Sequence, residues 1–419
     1  MFLQGGCCYH LSLSLLFLVL ACSFYPRPLF ANATELLYDV VSYGAKGDGR
    51  TDDTDAFLKA WEAACSAHTP DDLQKQTPVL YVPKGKTFLL QRLQFNGPCT
   101  SSSIHVQISG TLMAPKSLES WKAGCQDEWI GFERVNNLKI DGGGRIYGNG
   151  PIWWDSENFR RMLKLHACDN LQLHHLEFVD SPKNHLSIGG SKGADISNLH
   201  MIAPGESPNT DGINLAGVSD IHVYDSNIGT GDDCFALNGG CSRINITNVY
   251  CGPGHGISIG SLGKDGLTET VEEIYISNCT LNGTQNGVRI KTWPGGRGHA
   301  KKITFHDIVM LDSYNPIIID QDYCNGKAKC NPGSTAVEIR DITYSDIRGT
   351  SRLPSAVSLN CSTVGDGCKN IVMDNIHLET TGKDFDGKLV YATCINAQGT
   401  ARDVVPPVKC LSSHEPLVF

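Results

Sequence analysis

The chain has 419 residues, 41% of them hydrophobic and 19% charged, with 35 Lys+Arg against 44 Asp+Glu for a net charge of −9. That balance excludes a disordered polyelectrolyte and argues against a broad basic face for nucleic acid. Its 44 Gly follow no Gly-X-Y period, which excludes collagen and leaves 17 Cys in a glycine-rich, mildly acidic chain to be explained.

Residues 1–33 read as a secretory signal peptide rather than as fold. Leu11–Leu20 is an apolar run too short to span a bilayer, and a small-residue site follows at Ala31-Asn32-Ala33. The stretch before the run has no Lys or Arg, so a buried N-terminal helix is the competing reading. Cleavage would remove Cys7, Cys8 and Cys22 and leave fourteen Cys, an even number that suits an oxidised secreted protein and reads as a set of staples. No later stretch is long and apolar enough for a membrane span. Sequons at Asn245, Asn278, Asn282 and Asn360 fit the same compartment.

Residues 34–78 read as an N-terminal cap. Asp52 or Asp53 can cap a helix from about Thr54 to Cys65, with Phe57, Ala60, Trp61 and Ala64 on one face. From residue 79 to 400, short strand patterns recur between Gly, Asn, Asp and Ser turns. One register begins at Leu171, Ile196, Ile221, Ile244, Ile274, Ile303, Ile342 and Ile371, with Asn or Asp following in several units. A second aligns the first residues of Asn184-His-Leu-Ser-Ile, Asp211-Gly-Ile-Asn-Leu, Asp233-Cys-Phe-Ala-Leu, His255-Gly-Ile-Ser-Ile, Asn286-Gly-Val-Arg-Ile and Asn315-Pro-Ile-Ile-Ile. Two phases inside one variable period indicate stacked coils, because a single coil cannot bury its own apolar positions. The fold class is therefore all-β, a right-handed parallel β-helix with a short N-terminal capping helix. A β-sandwich would explain the strands but not the two registers. Residues 401–419 form a C-terminal tail tied by a disulfide. Spacing suggests Cys324/Cys330, Cys361/Cys368, Cys394/Cys410, Cys65/Cys99 and Cys234/Cys251 as pairs, without fixing the connectivity.

The repeat then serves as a ruler. Equivalent positions of a parallel solenoid stack at ~4.8 Å. Asn184, Asp211, Asp233, His255, Asn286 and Asn315 form a polar column, and Asp232 adds a third carboxylate beside Asp233. Strand alternation turns Val288 and Ile290 inward, so Arg289 and Lys291 face the same side as the column. Clustered carboxylates push one another's pKa values apart, which gives glycoside hydrolysis its proton donor and its base. Arg and Lys at the margin suit a sugar that carries a carboxylate. Three other readings compete: Asp before Gly as a turn residue, paired Asp as a Ca²⁺ site, and stacked Asn as a hydrogen-bonded ladder, the last preferred for Asn286 and Asn315.

Ser207-Pro-Asn-Thr-Asp-Gly212, Gly231-Asp-Asp-Cys234, Gly254-His-Gly-Ile-Ser-Ile-Gly-Ser261 and Arg289-Ile-Lys291 resemble, in order and spacing, the four signature motifs of the plant-type polygalacturonases of glycoside hydrolase family 28. The resemblance covers about residues 36–410. It implies hydrolysis of α-1,4-galacturonosidic bonds with inversion, Asp232 as general acid, Asp211 and Asp233 activating water, and His255 supporting the acid or orienting substrate. Arg289, Lys291 and Tyr323 would bind galacturonate, Asn209 would orient its neighbours, and a Cys234/Cys251 bridge would fasten the catalytic coils. The implied partners are polygalacturonate or pectin and wall inhibitor proteins. The mature chain would be a monomer in the extracellular cell wall, without nucleic acid, membrane, cofactor or metal. The ~4.8 Å ruler sits nearer the ~5–5.5 Å carboxyl separation of retaining enzymes than the ~6.5–9.5 Å of inverting ones, and the stereochemistry here follows the family. A pectate lyase-like β-elimination and a non-catalytic wall-binding β-helix are the alternative functions.

Overall fold

A computed structural model describes residues 36–68, 76–121, 127–155, 160–326, 330, 333–381 and 389–413. The leader read at 1–33, Cys125 and the end of the tail lie outside the described residues. The capping helix, α1 (Thr54–Cys65), buries Ala56, Phe57, Ala60, Trp61 and Ala64, the face that its 3.6-residue period marks. Asp53 does not close its end as an N-cap, and Asp52 does so in part. Asp53 sits at the N-cap position, but its carboxylate accepts from Lys46 N and Gly47 N at 2.7 and 3.0 Å, pinning the preceding loop. The Asp52 carboxylate does reach the helix start, where Oδ1 accepts from Thr54 N at 3.2 Å and from Thr54 Oγ1 at 2.5 Å.

The rest is a right-handed parallel β-helix, as the repeats implied. The strand pairings from Leu37 to Ser413 are parallel, and eleven described strands, from Leu93–Asn96 to Tyr391–Ile395, stack into the sheet that carries the polar column. The stack starts ahead of residue 79, since Leu37–Asp39 already pairs with Val79–Tyr81. One continuous core runs from Val40 to Leu411. Within it Ile221, Ile244, Ile274, Ile303, Ile342 and Ile371 stack in register and are at most 1% exposed. Each contributes roughly 1.5–3 kcal/mol by leaving water. Ile196 departs from the expected register. It stacks on Val223, and Ala194 takes the place opposite Ile221. The slip is two residues, which leaves the same side chains facing in.

The corners explain the recurring Asn and Asp. Residues 225, 248, 278, 307, 346 and 375 are all Asp or Asn, each four after a core Ile, and all have positive φ near 50°. That conformation suits short polar side chains that hydrogen-bond locally. Asn375 donates to Asp346 one coil back at 2.6 Å, so the corners also form a ladder.

All five Cys pairs suggested by spacing are disulfides. The reading of fourteen staples needs correction, because Cys168, Cys241 and Cys279 are free and buried. Cys241 and Cys279 stand in register with Val271 and Ile308 and fill core positions as small apolar residues. Burial pushes their thiols up to about 11 and about 12, so neither is a reactive thiolate at neutral pH.

Candidate active site

The polar column is present in register. Ile213 pairs with Phe235, Phe235 with Ile257, and Ile257 with Val288. Two residues upstream on each coil stand Asp211, Asp233, His255 and Asn286. The backbone seams agree, with Gly212 N donating to Asp233 O at 2.9 Å and His255 N to Asp232 O at 2.8 Å. Asn286 and Asn315 form the expected ladder: Asn315 Nδ2 donates to Asn286 Oδ1 at 3.4 Å and Asn286 Nδ2 to His255 O at 3.2 Å.

The glycines around His255 let neighbouring coils come close. A Cβ on Gly254 would lie 2.6 Å from Asp232 O, and one on Gly256 would lie 2.0 Å from Asn286 O. Their φ values of +142° and +87° also favour glycine. The Cys234–Cys251 bridge begins at the residue after Asp233 and ends four residues before His255.

Each carboxylate has a different environment. Asp232 Oδ1 accepts from His255 Nδ1 at 2.9 Å and from Asp233 N at 2.7 Å. Burial would raise Asp232, but the hydrogen bond and charge of His255, with Lys291 adding to them, outweigh it and leave the carboxyl below its ordinary value. Burial, then repulsion from Asp232 and Asp233, holds Asp211 well above the carboxylate range, with Lys291 only partly offsetting it. Asp211 Oδ2 is within 3.3 Å of the Asn214 amide, and its carbonyl accepts from the buried His185 Nδ1 at 3.0 Å. Burial pushes His185 down to about 4, so it is neutral.

Asp233 is 2% exposed and fully engaged. Arg289 Nη2 and Lys291 Nζ each lie 2.6 Å from one of its oxygens, and Ser258 Oγ bridges Asp233 and Arg289 at 2.8 and 2.9 Å. Val288 and Ile290 point inward with no exposure, as alternation required. Arg289 and Lys291 lie on the column side, but their charges are directed at Asp233, with side chains only 11% and 8% exposed. Tyr323 packs under Lys291, whose Nζ stands 5.3 Å from the ring centroid, and meets Trp293 edge-on at 5.6 Å. Asn209 is exposed, with φ +55°, and joins none of these bonds. Ser258 and Trp293 were not singled out from sequence. Ser258 could have been, since it shares the register position of Arg289.

Ligand atoms of Asp232, Asp233 and His255 lie within 4.8 Å of one another, the spacing a bound cation would need. Arg289 and Lys291 already occupy both oxygens of Asp233, so a divalent ion there would have to displace two positive charges. The arrangement instead provides one carboxyl that favours its proton, one carboxyl that favours ionisation beside His255, and one carboxylate paired with two cations.

Residues 73–401 match the model of glycosyl hydrolases family 28. The chain belongs to this family. It is 45% identical over 377 residues to a probable polygalacturonase of Arabidopsis thaliana, covering 89% of this chain and 80% of that one. It is 42% identical over 375 residues to a polygalacturonase of Persea americana, covering 87% and 78%. Among solved structures, an endo-xylogalacturonan hydrolase from Aspergillus tubingensis superposes with a TM-score of 0.71 at 23% identity, covering 88% of this chain and 98% of that one. An exopolygalacturonase from Thermotoga maritima gives 0.67 at 18%, covering 82% and 87%. At these identities the structures show the shared fold alone, and endo and exo enzymes both have it. The chain is a glycoside hydrolase.

Proposed function

We propose that this enzyme hydrolyses α-1,4 bonds between galacturonate units of polygalacturonate or pectin, with inversion, as a secreted protein of the cell wall. The observation that carries the reading is the stack of Asp211, Asp232 and Asp233 beside His255, with Arg289 and Lys291 immediately next to it, in a family 28 chain whose relatives are named polygalacturonases. The apolar leader and the five disulfides support secretion.

In this reading Asp232 protonates the leaving glycosidic oxygen and Asp211, with Asp233 beside it, takes the proton of the attacking water. With Asp211 raised and Asp232 lowered, a proton shared by the pair favours Asp211 over Asp232 in the free site. Coupled carboxyls titrate as a unit, so substrate binding has to shift that proton to Asp232, with His255 as the hydrogen-bonding partner. Arg289 and Lys291 pair with the buried Asp233 and turn their remaining N–H groups to a galacturonate carboxylate, while Tyr323 borders the same sugar. Asn209 contributes by orienting the first motif.

A product-size time course on polygalacturonate tests the reading. Shortening oligomers mean endo cleavage, and monomer alone means exo. Unsaturated products absorbing in the ultraviolet would instead make the enzyme a lyase. NMR of fresh product reads the anomer: an initial α-anomer would remove the inverting assignment.

A further inference from the structure

Arg289 and Lys291 lie on the C-terminal side of the carboxylates, and each makes an ion pair with Asp233. A second group of cations lies on the N-terminal side. Leu163 pairs with Leu186 and Leu186 with Ile213. Reading each coil two residues upstream extends the column to Arg161, Asn184, Asp211 and Asp233. Reading three upstream gives Lys183, Thr210 and Asp232. Lys183 therefore occupies the position of Asp232 two coils earlier, roughly 10 Å along the stack at the strand spacing. The seams hold that register, with Met162 N bonded to Asn184 O at 2.9 Å and His185 N to Asp211 O at 2.8 Å.

The charges on this side do not balance. Arg161 pairs with Asp127, while Arg92 and Lys164 both reach Glu128. Lys183 is half-buried, and among the described residues it has no carboxylate within salt-bridge distance. Among these described side chains, four cations share two carboxylates. Burial first, then the nearby charge of Arg161, weakens the hold of Lys183 on its proton, and Asp211 only partly compensates. A half-buried ammonium that no described carboxylate pairs with, next to a guanidinium and only partly compensated by Asp211, favours an added anion.

We propose that Lys183 and Arg161 form a subsite for a uronate carboxylate on the N-terminal side of Asp211, opposite the side held by Arg289 and Lys291. This rests on the reading of polygalacturonate as substrate. The polymer carries a carboxylate on every sugar, so cations on both sides of the cleavage point hold it across the acid and base. Arg161 keeps N–H groups beyond its pair with Asp127, and Lys183 supplies the only partly compensated charge.

The test has two parts. Steady-state kinetics on polygalacturonate compare the full-length enzyme with Lys183→Met and Lys183→Arg. Loss of one charge-assisted hydrogen bond should raise KM about tenfold with kcat nearly unchanged, and Lys183→Arg should recover most of it. Calorimetric titration of trigalacturonate into Asp232→Asn, with and without Lys183→Met, should show a similar loss of affinity. That loss should shrink at high salt and be absent for the methyl-esterified trimer. Binding by the Asp232→Asn parent that is indifferent to Lys183 would overturn the subsite alone, as would a Lys183→Met loss confined to kcat. Failure of that parent to bind trigalacturonate would overturn the substrate reading and the subsite with it.

Discussion

Replacing Lys291 with Met separates two roles that one side chain can have. Its Nζ lies 2.6 Å from Asp233, whose side chain is 2% exposed. Removing one partner of a buried ion pair costs about 3–5 kcal/mol, because the remaining charge stays buried. Arg289 and Ser258 still hold the other Asp233 oxygen, so the lower figure applies. The described residues run from Leu36 to Ser413. Taking the unfolding entropy of this span at ~2.1 cal/mol/K per residue, 3 kcal/mol corresponds to a melting temperature lower by roughly 4 °C. Differential scanning calorimetry on wild type, Lys291→Met, Asp233→Asn and the double variant reads this directly. The double variant should lose less than the sum of the singles, since a neutral Asn needs no cation. A Lys291→Met protein that melts like wild type and shows only a higher KM would refute the argument, leaving Lys291 as a substrate contact alone.

Asp211 gives a pH prediction. Its folded pKa is raised, mainly by burial, so the folded state binds this proton more tightly than the unfolded chain. The resulting stability is complete below the ordinary carboxylate pKa and is lost as pH rises through the raised value. Asp211→Asn should therefore gain melting temperature relative to wild type at neutral pH and lose that advantage in acid; a constant offset across the range would count against the raised value. Asp232→Asn should abolish hydrolysis while still binding polygalacturonate in a pull-down, and residual turnover near wild type would remove it as the acid. Gly256→Ala places a methyl 2.0 Å from Asn286 O, so soluble yield and activity should both collapse; a fully active variant would show that these coils can separate. Converting Cys234 and Cys251 to Ser opens a bridge of sequence separation 17, at a cost of about 3 kcal/mol by chain entropy. Urea melts that match wild type would contradict this.

The helix at Thr54–Cys65 and the column from Asn184 to Asn315 were legible because both rest on a period that the core enforces. The helix buries one face, and the column sits at a fixed offset from strand residues that bury in every coil. The slip at Ile196 was not legible, because a shift of two preserves the inward face and sequence alternation cannot register it. Alternation gave the side on which Arg289 and Lys291 lie but not their target. Both side chains are long, and their direction depends on the charge of Asp233 on an earlier coil. The free thiols are hidden from sequence for a related reason. Even Cys numbers suggest pairing, yet Cys241 and Cys279 occupy core positions where other coils carry Val or Ile. Lys183 lies ahead of its strand, and only the register of three coils brings it into line with Asp232.

The left-handed Asp and Asn corners have a further consequence. They fix where the chain turns relative to the core, so the length of what lies between corners is free to vary. Ile274 and Ile303 are 29 residues apart and Ile303 and Ile342 are 39 apart, yet both steps stack in register. The extra residues fall between strands, as between Asp320 and Glu338, where Tyr323 and the Cys324–Cys330 bridge are found. Strand stack and connecting loops are thus separable parts: a loop can lengthen without moving the carboxylates of the column.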